Sequence, residues 1–299
     1  VPSKALIRSA RAAAAMREAA EYGLTAADPQ PDFTRVMSRV RQVIRDIAPH
    51  DSVETFTGYG VDVIPGYARF VDPWTVEIAL NAGGTQRLTA RHFVVATGSE
   101  PVVPAIEGIE ASGYLTSETL WDAMGERALV PERFVIIGGG PIGCELAQSF
   151  QRLGSQVTLV EQSDRLMGQE DADAAALLRE ALEADGVRVL TGHEAKRFAL
   201  DGDGRHLIAK GPDGEKRLDY DALLIGIGRK ARLSGYGLED IGVDTDRTIV
   251  TDGRLSSSLP HIFAAGDVAG PFQFTHAAGY QGLKAGYSAL FAPLYSPKS

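Results

Sequence analysis

The chain has 299 residues, 44 % of them hydrophobic, and a formal net charge of −9. That length accommodates two domains with packed cores, and the acidic balance excludes a general nucleic-acid or anionic-membrane partner. No apolar run reaches the roughly 18–20 residues that cross a bilayer, and the single cysteine, Cys144, excludes an intrachain disulfide and a cysteine-rich metal centre. No leader pattern is visible, so a cytoplasmic protein is expected, with no membrane partner and no metal site. The chain begins at Val1, not Met, which fits a piece of a longer protein.

In chain order, Pro2 and Ser3 are helix-start residues, and the Ala-rich stretch from Lys4 to about Tyr22 predicts a helix. A second helix is expected from Pro31, with Val36, Val40, Val43, Ile44 and Ile47 on one face. From Phe56 to Thr97 glycines and Pro65 punctuate short runs. Tyr67–Val71, Thr75–Leu80, Gln86–Ala90 and His92–Ala96 predict a small antiparallel meander returning to a buried strand. Asn81 to Gly84 supplies a hairpin turn.

The most informative stretch is Phe134 to Glu145. Phe134–Ile137 predicts a buried parallel strand, and Gly138, Gly140 and Gly143 follow in G-x-G-x-x-G spacing at the start of a helical pattern. In that pattern the first glycine permits a tight turn, the second lets a pyrophosphate approach the backbone, and the third lets helix and strand pack closely. The phosphates then meet the helix N-terminus, where free N–H groups and the dipole favour an anion. Pro141 and Ile142 complete that first turn. Gly154 ends the helix, and Gln156–Val160 predicts a second strand ending in Glu161. A carboxylate there accepts from a ribose diol and repels a 2′-phosphate, favouring NAD(H) over NADP(H). The plainer alternative is a glycine-rich turn of any α/β domain with a surface glutamate. Cys144 reads as small buried packing within this helix.

Further on, Asp171–Asp185 predicts an amphipathic helix closed by Gly186, and Val187–Leu190 a third strand. His206–Lys210 and Lys216–Asp219 predict meander pieces around a Pro212–Gly214 turn, and Ala222–Ile225 a further buried strand. Gly237–Asp246 has loop character, and a last helix is expected from about Ala277 to Leu290. The tail from Pro293 to Ser299 is expected to be disordered.

Several segments, in order along nearly the whole chain, resemble the pyridine nucleotide-disulfide oxidoreductases (flavin disulfide reductases). They are Val1-Pro2-Ser3-Lys4, Gly66-Tyr67-Ala68, Ala96-Thr97-Gly98-Ser99, Gly138 to Glu145, Ile227-Gly228-Arg229, Thr251 to Asp267 and Thr275-His276-Ala277-Ala278. The flavour is that of dihydrolipoamide dehydrogenase and mercuric reductase. The resemblance implies an α/β fold of two nested Rossmann-like, three-layer nucleotide-binding domains, the NAD domain inserted in a truncated FAD domain. The expected division is 1–117 and 247–299 for FAD, and 118–246 for NAD(H).

It implies FAD and NAD(H) as cofactors, a small thiol, disulfide or metal ion as electron acceptor, and a homodimer for the full-length protein. Lys4 is implied to lie near the flavin, ion-paired with Glu145, in an electrostatic catalytic role; a surface lysine at a helix start is the alternative. Gly66, Ala68, Thr97, Gly98, Ser99, Gly266 and Asp267 are implied on the FAD side, with Asp267 on a ribityl hydroxyl. Phe274, Thr275 and His276 are implied beside the flavin ring, the last through its backbone. Gly138, Gly140, Pro141, Ile142, Gly143, Glu161 and Ala195 are implied to hold NAD(H). Gly228 and Arg229 are assigned to FAD or an NAD phosphate, with a solvated arginine as the alternative.

Set against the family pattern, the given residues start after the place expected for the glycine fingerprint and cysteine pair and stop before the place expected for the C-terminal dimerisation domain. The chain alone is therefore expected to be inactive in disulfide or metal reduction. Its NAD domain is expected to fold, and its FAD domain to be marginal with an exposed sheet edge. Two rival functions stay open: a non-catalytic NAD(H)-binding module, and a flavoprotein reductase or NADH oxidase without a redox disulfide.

Overall fold

The computed structural model describes residues 1–202 and 204–291. The elements in chain order are α1 (Pro2–Arg17), α2 (Phe33–Ile47), α3 (Val53–Gly58), β1 (Gly66–Asp72), β2 (Thr75–Leu80), β3 (Thr85–Thr89), β4 (Phe93–Val95) and β5 (Ser99–Pro101). There follow α4 (Leu120–Gly125), β6 (Arg133–Ile137), α5 (Pro141–Arg152), β7 (Gln156–Val160), α6 (Ala172–Ala184), β8 (Arg188–Leu190), β9 (Glu194–Asp201), β10 (Gly204–Gly211) and β11 (Gly214–Asp219). The last are β12 (Ala222–Ile225), β13 (Arg229–Ala231), β14 (Ile262–Ala264) and α7 (Thr275–Phe291). The expected disordered tail, 293–299, lies outside the described residues. No helix among the described residues is long and apolar enough to cross a membrane.

Two compact units result. The first comprises Val1–Thr55 and Pro101–Gly228, the second Phe56–Glu100 and the chain from Arg229 onward. In the first unit a parallel sheet has the order β12-β6-β7-β8. Each strand is short and apolar because both faces are covered. Along β6, Phe134 and Ile136 face one way and Val135 and Ile137 the other, as strand alternation requires. The first pair joins Leu159 and Leu224 against Leu146, Ala147 and Phe150 of α5, and against Leu6, Ala10, Phe33, Met37 and Val40 of α1 and α2. The second pair joins Val160, Leu223 and Ile225 against Phe198, Leu207, Ala209 and Leu218 of an antiparallel meander, β11-β10-β9. The unit is thus three layers: helices, parallel sheet, meander. Residues 1–55 pack here because α1 presents small residues, Ala5, Ala10, Ala13 and Ala14, that let it lie close. Phe150 locks the helical layer, edge-on to Phe134 at 4.7 Å and tilted to Phe33 at 6.2 Å.

The second unit holds the antiparallel meander β1-β2-β3, in which Gly66 pairs with Leu80 and Arg69 with Glu77. The expected strand at His92–Ala96 is shorter, Phe93–Val95. It leaves the meander and pairs in parallel with β14, Phe93 opposite Ile262 and Val95 opposite Ala264. Its core gathers Phe70, Val95, Tyr236, Leu238, Ile249, Ile262 and Val268. A smaller cluster, Leu255, Phe263, Ala265 and Ala285, seats α7. β5 and β13, neither expected from the sequence, pair with each other.

Asp221 closes one end of the parallel sheet. Its carboxylate accepts from the Arg133 backbone N–H at 2.9 Å and from that residue's guanidinium Nη2 at 2.8 Å. The Arg133 side chain holds the Asp221 carboxyl below the usual aspartate range, its hydrogen bond being the largest cause. A depressed folded-state value stabilises the fold above the unfolded value of about 3.9, and the effect is lost as pH falls through the folded value. Asp221→Asn is expected to cost about 1 kcal/mol in urea unfolding at pH 7, and the gap to wild type should close in acid. A gap that does not change between pH 7 and acid would exclude this linkage.

Candidate functional sites

Two sites are built, one in each unit. In the first, β6 runs into the glycine turn and α5. Gly138 has φ +111°, and a Cβ there would overlap the Gly226 carbonyl. A Cβ on Gly143 would overlap the carbonyl of Gly138, so the helix can pass this close only without a side chain. Gly140 differs: a Cβ on it would meet nothing within 4 Å. The middle glycine thus faces open space at the N-terminus of a 12-residue helix, where the first N–H groups have no intrahelical acceptor. Pro141 opens the helix, and Ile142 is half-buried behind it. This cradle fits a pyrophosphate.

Glu161 stands at the end of β7, 22 residues after Gly139, whose backbone N–H donates to its Oε2 at 2.6 Å. Its Oε1 accepts from the Ser163 N–H at 2.7 Å. The carboxylate is braced from both sides beside the glycine turn, with lone pairs left for a diol. Its loop is laced to the next: the His193 N–H donates to the Glu161 carbonyl at 3.0 Å and the Gly192 N–H to that of Ser163 at 2.7 Å. Ala195 lies nearby in sequence on β9, half-buried against the meander-side core.

Lys4 on α1 and Glu145 on α5 form an ion pair through Nζ and Oε1, 141 residues apart. Both side chains are well exposed, at 67 % and 38 %. Such a pair adds little stability; its consequence is to place a cation beside the glycine helix. Cys144, one residue earlier, is buried with Sγ 3.3 Å from the Gly139 carbonyl. Burial pushes its thiol up to about 12, helped by the charges of Glu161 and Glu145.

In the second unit, Asp267 follows β14 in a turn where Gly266 has φ +79°. Its Oδ2 accepts from Ser99 Oγ at 2.6 Å, and Ser99 Oγ accepts from Arg229 Nε at 2.8 Å. Ser99 is buried, Asp267 and Arg229 half-buried. An open cleft of about 680 Å³ is lined by Gly66, Tyr67, Ala68, Thr97, Glu100, Lys230, Arg232, Tyr236 and Arg247 among others. It brings together the expected Gly66, Ala68 and Thr97, while Ser99, Asp267 and His276 are not part of its lining. Its charged lining is mixed: Lys230 pairs with Glu100 at 3.1 Å, and Arg232, Arg247 and Asp246 also line it. Gly98 accepts at its carbonyl from the Arg232 N–H at 3.0 Å, and Gly228 from the Val102 N–H at 3.0 Å. Thr275 begins α7, and His276 is exposed with its ring stacked on Phe274 at 5.5 Å.

Two side chains escaped the sequence. Gln281 of α7 accepts the Gly266 N–H at 2.8 Å and donates to the Gly270 carbonyl at 2.6 Å, clamping the Asp267 turn. The Tyr236 hydroxyl donates to the Arg232 carbonyl at 2.9 Å and accepts from Thr97 Oγ1 at 3.3 Å. Neither stands in a motif, so only the fold could reveal them.

Because its thiol is buried and stays protonated at neutral pH, Cys144 is expected to resist a maleimide or aromatic disulfide reagent in the native protein at pH 8. It should label fully once unfolded. Rapid labelling of the native chain, followed by mass spectrometry, would contradict this.

The chain is similar to known proteins over most of its length. The profile of the pyridine nucleotide-disulphide oxidoreductases matches residues 1–282. The chain is 36 % identical over 293 residues to a mercuric reductase of Streptomyces lividans, covering 97 % of this chain and 61 % of that protein. It is 34 % identical over 305 residues to a dihydrolipoyl dehydrogenase of Thermus scotoductus, covering 97 % and 63 %. Among solved structures, LpdA from Mycobacterium tuberculosis superposes with a TM-score of 0.84 at 26 % identity, over 100 % of this chain and 64 % of that one. The Cu(II) complex of the HOCl-induced flavoprotein disulfide reductase RclA from Escherichia coli gives 0.80 at 25 % identity, over 98 % and 61 %. The chain spans about three fifths of the length of these relatives. Proteins of this family use FAD and NAD(P)H. With a family match over nearly its whole length and an α/β fold of the same kind, the chain belongs to the pyridine nucleotide-disulphide oxidoreductases.

Proposed function

We propose that this chain is the central, nucleotide-binding part of an NAD(P)H-dependent FAD flavoprotein oxidoreductase that passes electrons from nicotinamide through flavin to a disulfide. The observation that carries this reading is the ion pair of Lys4 and Glu145, which joins the helix start of the cysteine-pair branch to the dinucleotide helix. A bare NAD(H) sensor has no need of it, nor of the Ser99–Asp267 contact. The NAD(H) part is assigned to 118–246 and the FAD parts to 1–117 and 247–299.

When bound, FAD supplies a carrier that accepts a hydride and passes on its electrons. The chain's own residues bind and orient. The helix start at Pro141–Gly143 receives the NAD(H) phosphates, and Glu161 accepts from the adenosine ribose diol. Asp267 accepts from a ribityl hydroxyl, and the Lys4 ammonium favours negative charge beside the glycine helix. The acceptor class is a small disulfide such as lipoamide, or a metal ion such as Hg(II), as named for the relatives. The full-length protein is assigned as a homodimer.

The 299 residues contain one cysteine, which is buried. A dithiol–disulfide couple needs two, so the polypeptide by itself is assigned no reductase activity. Purified alone, it is expected to consume no NADH with lipoamide or Hg(II) as acceptor; turnover above the no-enzyme rate would sink this assignment.

Glu161→Ala is expected to weaken NADH binding about tenfold, the scale of losing a charge-assisted pair of hydrogen bonds, and to shrink the preference over NADPH. Titration of both nucleotides checks this. An unchanged affinity ratio removes Glu161 from the ribose site.

A further inference from the structure

We propose that Ser99 and Arg229 are positioning residues for Asp267. Together they form a one-way hydrogen-bond relay that reserves one carboxylate oxygen for a hydroxyl-bearing ligand. The inference rests on the reading of Asp267 as the contact to the FAD ribityl chain, and changes the part assigned to its two neighbours from direct contact to orientation.

The direction of the relay follows from valence. A guanidinium can only donate. Arg229 uses Nε on Ser99 Oγ at 2.8 Å and Nη2 on the Ser99 carbonyl at 2.7 Å, a two-point clamp on one residue. The serine hydroxyl has a single proton. With Arg229 donating to its oxygen, that proton goes to Asp267 Oδ2, at 2.6 Å. Ser99 is only 6 % exposed, so water does not readily replace either partner. The strands enforce the alignment: Ser99 opens β5 and Arg229 opens β13, and the two strands pair. Asp267 is held from the other side by its turn, where Gln281 receives the Gly266 N–H.

The result is a carboxylate with unequal oxygens. Oδ2 is committed to Ser99, and Oδ1 has no donor among the described residues. An ionised carboxylate oxygen only accepts, so Oδ1 selects a ligand hydroxyl and rejects a carbonyl or phosphate. Without the serine proton, Asp267 loses the bond that fixes its rotamer, and Oδ1 is no longer pre-aimed.

The test uses the purified chain, with far-UV circular dichroism to confirm folding of each variant. The side-chain rotamer of Asp267 is read by NMR couplings without ligand, and FAD affinity by titration of flavin fluorescence. Ser99→Ala is expected to let the Asp267 rotamer average and to weaken FAD about tenfold. Ser99→Thr, which keeps the hydroxyl, should restore both. Arg229→Lys, which keeps the charge but not the two-point clamp, should behave like Ser99→Ala. The double variant Ser99→Ala/Asp267→Ala should bind no more weakly than Asp267→Ala alone. An unchanged Asp267 rotamer in Ser99→Ala, or additive losses in the double variant, would overturn the relay. An Asp267→Ala variant that binds FAD as tightly as wild type overturns the ribityl reading of Asp267, while the rotamer comparison still decides the relay.

Discussion

The first unit depends on one steric fact: a helix passes so close to a strand end that position 143 has no room for a side chain against the carbonyl of Gly138. This close approach sets where α5 lies. It lowers Leu146, Ala147 and Phe150 onto Phe134 and Ile136, and it aims the helix N-terminus at the end of the parallel sheet. The burial of a few aromatic and aliphatic side chains, each contributing about 1.5–3 kcal/mol, then holds an arrangement whose geometry the glycines permit. A helix N-terminus whose first N–H groups lack intrahelical acceptors comes with the packing.

Two acidic side chains, one in each unit, share a mode of bracing: each carboxylate is pointed without a full ion pair. Glu161 is held by backbone N–H groups of Gly139 and Ser163. Asp267 is held by a serine hydroxyl that is itself held by a guanidinium. In each case neutral donors hold the rotamer and leave acceptor capacity for a ligand. A direct arginine contact would use that capacity up.

Lys4 and Glu145 show why exposure matters in reading an ion pair. Both side chains are too hydrated for the pair to add much to stability, yet it spans 141 residues and depends on α1 packing against α5. The pair therefore follows from the fold and does not sustain it. Its chemical consequence is local, a positive charge beside the dinucleotide helix.

Much of this was legible in the chain. The buried strands Phe134–Ile137 and Ala222–Ile225, the hairpin around Asn81–Gly84 and the long helices carry strong periodicity or punctuation, and appear within a few residues of their expected bounds. Glu161 and the glycine turn were legible because strand, turn and helix are contiguous. The strand β9 was not, since Phe198 is its only buried side chain and the exposed Lys196 and Arg197 precede it. The short helix α4 has too few residues to show a period. The strands β5 and β13 were not legible because each exists only by pairing with the other, 130 residues away. What the sequence by itself determined is therefore the set of local chemistries: a glycine turn ahead of a helix, an acid at a strand end, a buried thiol, an acidic surface. Only the tertiary structure decided which side chains act through one another. A hydrogen bond such as Ser99 to Asp267 depends on distances set by packing between remote segments, and no local pattern records that distance.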